Sequence, residues 1–208
     1  MSTYMGLAWI DLVPGANPET ALAGSSLQAD APLGLGGNRH RIVAVLDYDY
    51  YRLPDLVLRL AEGNGLVSHA FLALDHDEFG AEHVVLDVRD GLVHRAYHYL
   101  AYPRNEDGSY YTDAEPCLLN VPGIAQPSAV DPGVLVDGPV ARRTVADRYA
   151  VPIAAVDRAA DADALAYQEC GLVGGPCDAW RTALDLAWPI AATGIPVRQP
   201  KTGGAGTE

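Results

Sequence analysis

Residues 83–98, HVVLDVRDGLVHRAYH, constrain the fold of this chain more than any other stretch. Asp90-Gly91 suits a two-residue type I′ turn, in which both positions need positive φ, and apolar residues alternate on either side of it. The stretch predicts a β-hairpin with strands 82–89 and 92–102. With that turn in place, Asp87 faces His94 and His83 faces His98. One face then carries His83, Val85, Asp87, His94, Ala96 and His98. The other carries Val84, Leu86, Val88, Val93, Arg95 and Tyr97. The second set reads as core, the first as the solvated side of a half-covered sheet.

Two chemistries are open to the histidine face. Opposed side chains in an antiparallel pair have Cβ atoms about 4.5–5.5 Å apart, so His83 and His98 could together hold zinc or another divalent metal. A third ligand would come from the acidic loop DHDEFGAE at 75–82. Alternatively, Asp87 orients His94 as a general base, although no serine or cysteine lies near that pair in sequence. The two pairs stand about 13 Å apart along the strand, so one ion cannot take both. A wet sheet face explains the same residues with fewer assumptions.

The hairpin is extended by LVSHAFLALD (66–75) into a three-strand meander, whose first register stays open and with it the face on which His69 lies. YMGLAWIDLV (4–13) and HRIVAVLDYDY (40–50) read as two further strands. NPETALAGSSLQA (17–29) reads as a helix capped by Asn17, and LPDLVLRLAEG (53–63) as a second. PLGLGGN between them precedes a strand and does not join strand to helix, so it is a connector and no phosphate-binding turn. Residues 103–137 carry five prolines and no sustained period, which marks a strap or a functional loop. Helices are expected at 139–150, at 153–170 with a break near Asp161, and at 178–188, where Trp180, Leu184 and Trp188 recur every fourth residue.

These elements predict an α+β fold. It has a roughly five-stranded mixed or antiparallel sheet, two helices crossing one face, and a C-terminal helical cluster beside it. One domain covers 1–197, with its sheet part at 1–102 and its helical part at 138–190. The tail, 198–208, reads as disordered.

Charge narrows the function classes. Lysine and arginine number 14 against 27 aspartates and glutamates, a net charge of −13, which repels nucleic acid and anionic membranes and favours a basic protein partner. No apolar run is long enough to span a bilayer, the N-terminus has no basic leader, and Cys117, Cys170 and Cys177 form no framework. A cytoplasmic, bacterial-type soluble protein is expected. Cys177, where GLVGGPCDAW starts a helix, is a candidate reactive thiol. Residues 145–159 have helix-turn-helix spacing, but Arg158 is the sole cation on the second helix, which makes a poor reader of DNA. Eleven tyrosines stand against two phenylalanines. Asp47, Tyr48, Asp49, Tyr50 and Tyr51 form a candidate protein-binding cluster, since tyrosine brings apolar area and a hydroxyl with few rotors to freeze.

The leading expectation is therefore an acidic protein-binding module of the immunity, inhibitor or anti-defence type, without a catalytic site of its own. The alternative is a small metal-dependent or His/Asp general-base enzyme that uses the histidine face.

Overall fold

GLAWIDL, an apolar run broken by one carboxylate, lies inside a sheet that is buried on both faces. The computed structural model describes residues 4–23, 32–46, 65–76, 80–101, 133–166 and 175–187. They form strands β1 (Tyr4–Leu12), β2 (Leu33–Gly36), β3 (Arg39–Leu46), β4 (Val67–His76), β5 (Gly80–Arg89), β6 (Leu92–Ala101) and β7 (Gly133–Val136). The helices are α1 (Pro18–Leu22), α2 (Pro139–Tyr149), α3 (Ile153–Ala166) and α4 (Gly175–Ala183). The α+β class and the β4–β5–β6 meander agree with the sequence. Among the described residues the sheet is larger than expected and antiparallel throughout, with seven strands in the order β2-β3-β1-β4-β5-β6-β7.

The two extra strands have local causes. LGLG, taken from sequence as a connector, forms β2 because Gly37 and Asn38 both adopt positive φ (58° and 60°) and turn it back onto β3. GVLV, inside the expected strap, pairs with β6 as β7. Asp90 and Gly91 make the expected turn, with φ of 53° and 74°. Asn17 caps α1 through its side chain, which accepts from the backbone of Glu19 at 2.8 Å and Thr20 at 3.4 Å. The helix expected at 53–63 lies outside the described residues, as do the tail and most of 103–132.

Helices α2 to α4 lie on one face of the sheet, where the sequence had placed them beside it. Trp9, Phe71, Val85, Tyr97 and Tyr99 meet Val145, Val156, Ala160, Trp180 and Leu184 there. Trp9, Phe71 and Trp180 are fully buried, each removing enough apolar area to contribute about 2–3 kcal/mol. The Trp9 indole also donates to the Ala187 carbonyl just beyond α4, at 2.8 Å. The opposite face buries Ile10, Ile42, Leu72, Val84 and Leu86 together with Ala21 of α1.

The helices end where backbone chemistry requires. α2 stops at Ala150, which adopts the left-handed conformation (φ 53°) while Val151 donates to Ala146 O at 3.0 Å. α3 runs unbroken through Asp161, contrary to the expected break. α4 begins at Gly175, three residues before the expected start, and ends at Ala183 before Asp185 turns left-handed at φ 52°. No helix among the described residues is long and apolar enough to cross a membrane.

Candidate functional site

A single extra residue decides what the histidines do. Near the turn the hairpin register is the expected one, with Asp87 opposite His94 and Leu86 opposite Arg95, but Val85 pairs with Tyr97 where Ala96 was expected. Ala96 is thus a β-bulge, and every later pairing slips by one. His83 comes opposite Tyr99, and His98 opposite Val84. Since alternate residues point to opposite faces, the slip puts His83 and His98 on opposite sides of the sheet, and the expected shared-metal pair is not formed. Among the described residues no group of three or more His, Cys, Asp or Glu side chains is arranged to hold a metal ion.

Each of those imidazoles has a buried carboxylate instead. His98 Nε2 lies 2.7 Å from Glu82 Oε1, and Arg95 Nη1 lies 2.9 Å from its Nδ1. A guanidinium can only donate, so Nδ1 accepts and Nε2 donates to Glu82. His83 Nδ1 lies 3.0 Å from Asp163 Oδ1. The other oxygen of Asp163 accepts from the Tyr97 hydroxyl at 2.7 Å and from the Trp180 indole. Asp163 is wholly buried, so one carboxylate of α3 fastens β5, β6 and α4 together. Burial, together with the adjacent Asp163 charge, drives the Tyr97 phenol far above its ordinary pKa and keeps it a donor. The part of the expected wet face that carries His83 and Asp87 is therefore interior.

Toward the other end of the same face runs a cross-strand row. Arg41 (β3) pairs in register with Asp11 (β1), Asp11 with His69 (β4), His69 with Asp87 (β5), and Asp87 with His94 (β6). Five neighbouring strands thus carry alternating basic and acidic groups over about 19 Å. Arg41 grips Asp11 by two bonds, Nε to Oδ1 and Nη2 to Oδ2, the second at 2.8 Å. His69 Nε2 lies 2.7 Å from Asp11 Oδ2. Burial pushes the Asp11 carboxyl up, but the combined hydrogen bonding and charge of Arg41 and His69 outweigh it and hold the group below the usual carboxylate range. Asp87, fully buried, sits between Arg89 Nε at 2.6 Å and Arg148 Nε of α2. The expected Asp87–His94 dyad keeps its register, yet two arginines occupy the carboxylate and His94 is exposed.

A second bulge lies on β4. Asp11 pairs with His69 and Leu12 with Val67, leaving Ser68 as the extra residue. Its Oγ comes 3.1 Å from His69 Nδ1. Tyr149, the last residue of α2, lays its ring edge-on to His69 at 4.5 Å and beneath the Arg41 guanidinium at 5.8 Å. The Tyr149 hydroxyl is buried and makes no hydrogen bond. Burial and the Asp11 charge raise its pKa well above the phenolic value.

The remaining sequence candidates fall elsewhere. Cys177, in the first turn of α4, is fully buried in the core, which shields its thiol from solvent. Asp47, Tyr48, Asp49, Tyr50 and Tyr51 lie outside the described residues. An open cleft of about 620 Å³ lined by Asn17, Glu19, Asn38 and His40 shares no residue with the row.

Sequence reasoning missed Asp11, Arg41 and Asp163, and each had left a signal. Asp11 and Arg41 are charges inside apolar strands. Asp163 stands on the helical stripe of Val156, Ala159 and Ala160, all buried, where a charge needs partners. No family model matches the sequence, and neither the curated proteins nor the solved structures include a significant match.

Proposed function

We propose that the chain is an acidic protein-binding module of the immunity, inhibitor or anti-defence type, directed at a basic protein partner. One observation supports it above the others. On the outer surface of α2 and α3, Arg142 is shared by three carboxylates, Asp137 at 2.7 Å, Asp157 at 3.3 Å and Asp161 at 3.1 Å. One guanidinium cannot neutralise three acids, and the Asp157 and Asp161 side chains remain 45% and 69% exposed. Within a chain of net charge −13, that surplus favours approach by lysines and arginines.

An octalysine peptide serves as the probe. Asp157→Asn/Asp161→Asn should weaken its binding by about fivefold at low salt, with the difference gone at ~0.5 M salt, where screening is nearly complete. Glu19→Gln/Asp90→Asn removes the same charge elsewhere on the surface and should have a much smaller effect. Equal losses in the two variants would show that only the overall charge matters, and would overturn the reading. A second reading, a small enzyme, is favoured by one arrangement, Ser68–His69–Asp11.

A further inference from the structure

We propose that Ser68 is a nucleophile, with His69 as its general base and Asp11 as the residue that orients the imidazole, and that the substrate class is the carboxylic ester. This goes beyond partner binding and stands or falls separately from it. Three geometric observations carry it.

The bulge comes first. On a regular strand Ser68 and His69 would point to opposite faces, and a serine could not reach its neighbour's ring from the far side. The extra residue in β4 breaks that alternation, and Ser68 Oγ sits within hydrogen-bond distance of His69 Nδ1. Bulges commonly re-aim side chains beside reaction centres.

Polarity comes second. Asp11 is a carboxylate, so His69 Nε2, 2.7 Å from it at ion-pair distance though outside hydrogen-bond geometry, carries the ring proton, which leaves Nδ1 with the lone pair that faces the serine hydroxyl. Arg41 grips Asp11 from the other side and holds it ionised, so the orienting group is itself held in place. A nucleophile, a base and an orienter thus stand in line across two strands.

Depth comes third. The Asp11 and His69 side chains are 6% and 10% exposed, whereas Ser68 is half-buried, so the orienter and the base lie deeper than the serine.

The reaction balances with water as the co-reactant. Ser68 Oγ bonds to the acyl carbon as its proton passes to His69 Nδ1, and the imidazolium is stabilised by Asp11 through Nε2–H. The bond to the leaving alkoxide breaks, and that oxygen takes the proton from Nδ1. Water then adds to the acyl-serine, giving its proton to Nδ1. The Oγ–acyl bond breaks, the acid leaves, and Oγ recovers the proton.

The full chain is treated with a biotinylated fluorophosphonate, and the adduct is located by peptide mass mapping, with p-nitrophenyl acetate hydrolysis followed in parallel. One adduct per chain at Ser68 is expected, with fluoride released, and none in Ser68→Ala. His69→Gln should slow labelling about a hundredfold, the lower range for loss of a general base. Absence of label at Ser68, or equal labelling in His69→Gln, would overturn the proposal. Should His69→Gln not fold, Ser68→Cys leaves the row intact. Its new thiol should be alkylated by iodoacetamide faster than a free thiol at pH 7, and a rate no faster would also overturn the proposal.

Discussion

Asp163 shows what a single side chain does here. A carboxylate with no solvent contact accepts from His83, Tyr97 and Trp180, so removing it strands three donors in a region that water does not reach. Breaking a buried polar cluster from one side costs more than the net value of its bonds, because the orphaned partners keep their desolvation penalty. Asp163→Ala should therefore lower unfolding free energy by about 3–5 kcal/mol, measured by urea titration. A loss under about 1 kcal/mol would mean that the three donors find other acceptors. His83 shows how far sequence alone could go. Its strand and its neighbours were legible, but its partner lies 80 residues away on a helix whose packing no local pattern specifies.

At the scale of elements, the most legible pieces were those with local chemistry. The Asp90-Gly91 turn, the Asn17 cap and the β4–β5–β6 meander all follow from propensity and alternation. The bulge at Ala96 does not, because an alanine in a strand carries no mark of the extra residue. That omission moved His98 to the wrong face. The solvated face was misjudged for a related reason. Its histidines and aspartate read as polar, yet α2 to α4 cover His83 and Asp87 and supply Asp163 and Arg148 as their partners. The turn between α2 and α3 offers a test of local strain. Ala150 holds φ 53° with a Cβ that glycine would lack. Ala150→Gly should stabilise the protein by about 0.5–1 kcal/mol, relief of left-handed strain exceeding the added chain entropy. Thermal melts would show it, and destabilisation would mean that the Ala150 methyl makes contacts worth more than the strain.

For the molecule as a whole, pH exposes the balance among these buried groups. Asp11 and Asp137 are held below the carboxylate value of 3.8: burial raises both, and it is outweighed by the combined hydrogen bonding and charge of Arg41 and His69 at Asp11, and of Arg142 with the Gly138 backbone at Asp137. Their contribution is therefore present above that pH and lost as pH falls through the lower folded values. Tyr97 and Tyr149 are raised above the phenolic value of 10.0 by burial and by neighbouring carboxylates. The unfolded chain ionises first on that side, so stability is complete below about pH 10 and declines as pH climbs past it. Melting temperature should fall at both extremes, and Tyr97→Phe/Tyr149→Phe should make the alkaline fall shallower. An unchanged alkaline slope would remove these phenols from the account.

The Asp163 cluster also sets an order of events during synthesis. His83 and Tyr97 leave the ribosome long before the carboxylate they bind, His83 by 80 residues. At about 5–20 residues per second, that wait is roughly 4–16 s. Through that interval the meander carries an uncovered aromatic surface with its polar groups open to water, and a nascent chain arrested before α3 presents a ready surface to any chaperone near the exit tunnel.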